Sequence, residues 1–500
     1  VVNVTGTLFE VEHPQRARPV GGVPNPQVQA TEDDLTAVSG AALWGPLLDR
    51  LDVVGVADEV GLRRVGPGGY SGGQCLRVLA ETMLAGGDFL TDVDLLRDPA
   101  TCALRGGAAL PSHDTLWRFC NAADIGTVGR AAGVNRVVLA RAVALGEHAD
   151  TANQDHADRD DGDGDAEDDT GQGGGGLEAV FADGVFTVDP DATRVATYGR
   201  NKQGSRFSYN YSGTCLHPIV GVIGETGHGL AVRNRGGNAS PSRGLASFTR
   251  QCLDAVPNLI SRGRQAWVRI DSAGYQKATV ELCEARGAWF SITARKLSNV
   301  AGAIEAVATD DTVVWEPAAG HEGTLGSQIA ETTLEGLGRR LRLVVRRQPV
   351  GADGDAQLSI DDVEGWRFHA IITNIDPDVR SAVAIEAHHR ARGGMPEDAI
   401  RQLKNHFGFK HAPLGDFQAN SLWQQASLLA YNIALWLRHH ALPSSFARVR
   451  GKRLRLAFFN VAARLGRHAG RLQVKFARSY RWVEDFAAAL RRLHALPAFG

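Results

Sequence analysis

The 500-residue sequence predicts an α/β protein: a core of alternating strands and helices interrupted by a β-rich insertion, with a helical region before it and a helical, basic region after it. Three observations predict it. Residues 40–145 carry helical apolar periodicity; residues 177–295 alternate strand-like and helical stretches, then 311–375 read as strands; helical periodicity returns at Pro396 and runs to the end. A hydrophobic content of 43% lets a chain of this length bury a large core and build two or three structural units.

Taken in order, residues 1–30 hold Pro14, Pro19, Pro24 and Pro26 with little periodicity and read as an irregular arm within a first region, 1–146. Helices follow in "GAALWGPLLDRLDVVGVADEVG" and "GGQCLRVLAETMLAGG", each stopped by glycine. "LPSHDTLWRFCNAA" (110–123) sets Thr115 and Arg118 near a helix start after a turn, the arrangement a helix-turn-helix reading head uses, and equally that of a capped bundle helix. Residues 147–176 form an acidic, glycine-rich stretch with no apolar residues to bury, expected to be a disordered linker. Its glycines 162 and 164 fall at the wrong offset for a calcium-binding loop.

Residues 177–295 form the first part of the core, with a helix over 243–256, a strand over 266–270, a helix over 272–286 closed by Gly287, and a strand over 288–295. Residues 296–385 hold the β-rich insertion and a return strand, including "TVVWEP", "RRLRLVVRRQ", "QLSID" and "GWRFHAIITNI". Residues 386–440 bring a helix from Pro396 and a packing helix, and 441–500 form the basic helical region.

Several function classes are excluded. "GRNKQGSR" has Walker-like glycine spacing without the following Lys; no GxGxxG joins a strand to a helix; no GxSxG elbow is present. The six cysteines make no CxxC pair and read as reduced thiols of a cytosolic protein. No apolar run approaches the ~18 residues of a membrane span, and no signal peptide opens the chain. Abundant Arg, Ala and Gly, with Val at position 1, fit translation from a valine start codon in a GC-rich bacterium.

Charge is unevenly spread. Residues 441–500 hold 13 Lys/Arg against Glu484 and Asp485, while 147–169 hold 11 Asp/Glu against one Arg. Arg448, Arg450, Lys452, Arg453 and Arg455, then Arg464, Arg467, Arg471 and Lys475, suit a polyanion such as the DNA backbone. Trp315 and Trp366 are either core residues or a surface on which a displaced base stacks.

The remaining chemistry lies in acids at element ends. One strand runs into Asp189-Pro190-Asp191-Ala192-Thr193, another into Asp271-Ser272, and Glu397 begins a helix with Arg401 and Lys404 on its face. Singly, Asp271 reads as a helix N-cap, the Asp189–Asp191 segment as a turn, and Glu397 as a first-turn acid. Together, three acids from separate elements can hold two Mg²⁺ ions for phosphoryl transfer, since hard cations take oxygen ligands.

The order "VDPDAT", "YNYSGTCLHPIVGVI", "RNRGGNAS", "RIDSAGY", "IITNI", "RARGGMPEDAIRQLKNHFG" and "QANSLWQQASLLAYNIALWLR" resembles the DDE transposases of bacterial insertion sequences, in the group with a β-insertion and most like the insertion sequence thirteen-eighty type. "LTDVDLLRDPA" and "LPSHDTLWRF" resemble the family's N-terminal region. The resemblance implies a ribonuclease-H-like core with Asp191 (or alternatively Asp189), Asp271 and Glu397 as catalytic acids and ligands of two Mg²⁺, with Mn²⁺ as substitute. It implies DNA contacts from Arg392 and Lys404; the residues themselves add Arg401 on the same helix, Arg450, Lys452 and Arg453 in the basic region, and Thr115 and Arg118 at their helix start. Here Arg392 stands five residues before Glu397, where related sequences carry four, and a His388-His389 pair replaces an upstream Tyr.

The expected function is cleavage of an element's terminal inverted repeats and joining of the freed 3′-hydroxyl to target DNA, with self-association in the synaptic complex, in the cytoplasm or nucleoid and without a membrane. A metal-dependent nuclease and a decayed, DNA-binding repressor of the element are the alternatives.

Overall fold

The computed structural model describes residues 34–157 and 184–499, apart from short breaks at 64–65, 67–68, 108–109, 200, 209–211, 257–262, 321–325, 352–361 and 364. The expected N-terminal arm, most of the acidic linker and the "QLSID" strand lie outside the described residues.

The helical start is present as α1 (Ala41–Arg50), α2 (Gly72–Leu84), α3 (His113–Asn121) and α4 (Ile125–Ala157), with shorter helices between. Ser71 begins α2 with a reciprocal box: its Oγ accepts from the Gln74 N–H, and the Gln74 side chain accepts from the Ser71 N–H. The backbone of α4 continues to Ala157, into the stretch expected to be linker. Extending a formed helix fixes one residue per bond gained, which favours propagation where nucleation would fail.

Among the described residues the large sheet has ten strands. Its centre is β1 (Val185–Ala192), β2 (Ile219–Ile223), β3 (Gly229–Arg233), β4 (Gln265–Ile270) and β5 (Trp289–Thr293), in the order β3-β2-β1-β4-β5. β1 pairs parallel with β4 and β4 parallel with β5, while β2 is antiparallel to both its neighbours. The inner strands are nearly continuous apolar runs, as a sheet covered on both faces requires. Helices α5 (Leu245–Leu253) and α6 (Lys277–Ala285) share one apolar cluster with this sheet.

The insertion extends the same sheet. β6 (Gln328–Gly336), β7 (Arg339–Pro349) and β8 (Trp366–Thr373) form an antiparallel set, and β8 joins the core through Ile371↔Thr293, Ile372↔Ile292 and Thr373↔Ser291.

Helix returns before Pro396, as α7 (Ala382–Arg390), followed by α8 (Met395–His406) and the long α9 (Phe417–Trp436). α9 is buried from Ala419 to Trp436 and carries amides that must find partners. Asn432 meets both backbone groups of Gly229 on β3, donating to its carbonyl and accepting from its N–H at 2.8 Å each, and Gln425 donates to the Val232 carbonyl at 3.1 Å. These side chains thus cover a strand that ends the sheet. The N-terminal helices, α9 and the C-terminal segments share one apolar cluster.

The C-terminal region is not wholly helical, contrary to its sequence pattern. β9 (Ala463–His468) and β10 (Arg471–Phe476) form a hairpin before the final helix α10 (Val483–Ala495). Ala469 and Gly470 both have positive φ (49° and 76°), the requirement of a two-residue hairpin loop twisted to match its strands. The short strand Leu35–Thr36 pairs with the base of β9, a long-range contact that local periodicity does not carry. Among the described residues no helix is long and apolar enough to cross a membrane.

Candidate active site

Side chains alternate along a strand, so Thr187, Asp189 and Asp191 lie on one face of β1, and Trp267, Arg269 and Asp271 follow the same rule along β4. Parallel pairing of the two strands stacks these residues in layers. In the deepest layer the His388 ring of α7 stacks on Trp267, with centroids 3.6 Å apart, and its Nε2 lies 2.8 Å from the Thr187 hydroxyl. Burial pushes the His388 ring down to a pKa of about 3, with Arg269 and Arg380 adding to the shift, so the ring is neutral.

In the middle layer Asp189 is consumed. Arg269 donates through Nε and Nη2 to its two carboxylate oxygens, both at 2.7 Å, and also to the His388 carbonyl. Both side chains are almost fully buried. A buried carboxylate needs such a partner, and the two-point pairing leaves Asp189 facing Arg269.

The upper layer opens to solvent. The Asp191 Oδ1 accepts from the Ala192 N–H at 2.8 Å, and its Oδ2 lies 3.0 Å from Nη2 of Arg392. The same nitrogen is 4.0 Å from Oδ2 of Asp271. The Asp271 Oδ1 accepts from the Ala273 N–H at 2.9 Å, so it caps the short helical turn Ser272–Gly274 while its other oxygen faces Arg392. Asp191 is pushed up to about 6: desolvation is the main cause, Arg392 opposes it, and the charges of Asp271 and Glu397 add to it.

Glu397 is exposed in the first turn of α8, after Pro396. Its charge reaches Asp191, yet among the described residues no three His, Cys, Asp or Glu side chains close into a metal-ligating group. Lys404, two turns along α8, donates to the Thr193 hydroxyl at 3.0 Å. It lines a cavity of about 720 Å³ with Asp191, Asp271, Arg194, Tyr198 and Lys410. The lining thus combines two carboxylates with three cationic side chains.

The other expected residues are dispersed. Arg401 and Arg450 both pair with Asp398, Arg450 at 3.0 Å. Lys452 and Arg453 are exposed, and the Arg453 guanidinium sits 5.4 Å from the Trp482 ring centroid. Thr115 is bound into the start of α3, its N–H donating to the Ser112 Oγ at 3.3 Å, while Arg118 is exposed beside the exposed Trp117. Trp315 and Trp366 both lie against Arg347, whose guanidinium carbon is 4.0 and 4.5 Å from their ring centroids. Sequence reasoning missed Arg269 and His388 as supports of the site. The signal was present: an arginine inside the apolar strand "WVRI" must find a buried partner.

The family described as Transposase DDE domain group 1 matches residues 181–498. No curated protein matches the chain. Among solved structures, the chain is similar to the piggyBac transposase synaptic complex with hairpin DNA, at 10% identity and a TM-score of 0.42, over 94% of this chain and 85% of that one.

Proposed function

The chain belongs to the transposase DDE domain group 1 family, and from that premise we propose that it cleaves the ends of an insertion sequence and joins the freed 3′-hydroxyl to target DNA. The observation that carries this reading is the convergence of Asp191 and Asp271, from parallel neighbouring strands, on the single nitrogen of Arg392. The order β3-β2-β1-β4-β5, with β2 antiparallel in an otherwise parallel centre, supports the ribonuclease-H-like core of this reading.

The donor set fits a hard divalent cation. Two carboxylates face one positive group, and their oxygens are the donors a hard cation takes; burial, the main cause of the raised Asp191, disfavours its bare charge, which a bound cation would offset. Asp191, Asp271 and Glu397 are the proposed ligands of two Mg²⁺ ions, with Mn²⁺ as substitute. Held there, the ions would supply Lewis acidity for phosphoryl transfer. Asp189 is assigned a structural role, because both its oxygens are taken by Arg269.

Arg392 holds the two carboxylates in register, and Lys404 anchors a backbone phosphate at the cavity wall. Thr115 and Arg118 of the N-terminal helices, with Arg401, Arg450, Lys452 and Arg453, hold the flanking duplex. Pairing of two element ends calls for at least two copies of the chain, acting in the cytoplasm or on the nucleoid.

Oligonucleotides from the ends of the encoding element, incubated with protein and Mg²⁺, are expected to be nicked and joined to a target duplex. Both reactions are expected to vanish in Asp271→Ala and Glu397→Ala. Cleavage without joining makes the protein a nuclease, and end binding without cleavage makes it a repressor. Activity surviving either substitution overturns the site.

A further inference from the structure

We infer that the hairpin β9–β10 is a DNA-binding ribbon that lies in the major groove of duplex DNA flanking the active site, an inference that rests on the transposase reading. The register fixes its two faces, since residues directly opposite on antiparallel strands project to the same side. Arg464↔Lys475, Gly466↔Gln473 and His468↔Arg471 make one face; Ala463↔Phe476, Leu465↔Val474 and Arg467↔Leu472 make the other.

The second face is held to the body at its base. Ala463 and Leu465 are buried, Phe476 packs against Tyr480 and Phe486 with centroids 4.7 and 4.8 Å away, and Leu35–Thr36 pairs with β9. Beyond Leu465 the ribbon leaves the body: Arg467 to Gln473 are all exposed, including Leu472 at 39%. The first face is solvent-facing and cationic, with Arg464, Lys475 and Arg471 on it, while Arg467 is exposed on the second face near the loop.

Three physical facts select duplex DNA in its wide groove. Two strands about 4.8 Å apart, with side chains, fit a major groove about 12 Å wide and not a minor groove about 6 Å wide. Between the Arg464–Lys475 and His468–Arg471 pairs the ribbon extends about 13 Å, so its cations reach several successive phosphates. Leu472, on the opposite face next to the loop, adds an exposed apolar contact near the tip that suits the thymine methyl, which lies only in the major groove. The ribbon is also tied to the chemistry: Arg450 pairs with Asp398, beside Glu397, and the helical segment 451–459 leads from there to β9.

The test uses the full-length chain and a labelled 30-base-pair DNA duplex of arbitrary sequence, with binding followed by anisotropy across a salt series. R471Q/K475Q is expected to weaken binding roughly 60-fold at 0.1 M salt and to reduce the log–log salt slope by about 1.8, as loss of two phosphate contacts requires. R250Q/R286Q removes two exposed cations elsewhere and is expected to bind like wild type. A 30-base-pair RNA duplex has a major groove too narrow for the ribbon, so the same loss on RNA overturns groove insertion. Equal loss in R250Q/R286Q overturns it as well, because net charge then suffices. If Arg471 and Lys475 only guard an open strand edge, R471Q/K475Q aggregates while its monomer binds DNA normally, and the ribbon is refuted. Wild-type cleavage with undiminished R471Q/K475Q binding removes the ribbon alone; a wild type that binds no duplex removes the transposase reading with it.

Discussion

Arg269 grips Asp189 through two hydrogen bonds of 2.7 Å, one layer beneath Asp191 and Asp271. The pair fixes the spacing of β1 and β4 where their next residues must face a common partner. Asp189→Ala leaves a buried guanidinium with its carboxylate removed, and is expected to cost about 3–5 kcal/mol of stability. Denaturant titration checks this; a loss under about 1 kcal/mol shows the pair to be dispensable.

Asp191→Asn is expected to act in the opposite sense on stability. Burial and the neighbouring charges of Asp271 and Glu397 disfavour the Asp191 carboxylate, so a neutral isostere leaves the melting temperature unchanged or raised. Differential scanning calorimetry at pH 7 reads the sign, and a lowered melting temperature contradicts it.

Divalent cations stabilise the fold if the acids bind them. At a hundred times its dissociation constant, Mg²⁺ is expected to add about 2.7 kcal/mol to wild type. Chelation removes the gain, and Asp191→Asn/Asp271→Asn shows none. An equal Mg²⁺ response in the double variant places the cation elsewhere.

Buried histidines set an acid limit on stability. Burial holds His228 down to about 3, His369 to about 4 and His439 to about 2, each lowered further by nearby cationic groups. These depressed values mean that the unfolded chain takes up the protons first. Their stability contribution is complete above about pH 6.5 and is lost as pH falls towards the folded values, at about 1.4 kcal/mol per pH unit for each ring. Urea titrations at pH 7 and pH 5 are expected to show the loss, with a shallower dependence in His369→Gln. A pH-independent midpoint refutes it.

The local features of the fold were legible because they are written in neighbouring residues. The apolar run "WVRI" ending on Asp271 announced both the strand and the cap, and Pro396 announced the start of the helix that carries Glu397. Sequence left Asp189 and Asp191 open because two residues on one strand face share a direction; the partner Arg269 on the next strand is a fact of pairing. The β9–β10 hairpin was hidden for a related reason. Its Ala-Gly turn lacks the usual Asn-Gly signal, and Ala, Arg and Leu around it favour helix in isolation.

The most direct measurement is the single-turnover rate of DNA end cleavage in Mg²⁺ for Asp191→Asn, with the protein shown to be folded. Loss of a ligand worth several kcal/mol of transition-state stabilisation predicts a fall of roughly 10³-fold or more. A rate within about tenfold of wild type would contradict the assignment of Asp191, and with it the proposed catalytic site.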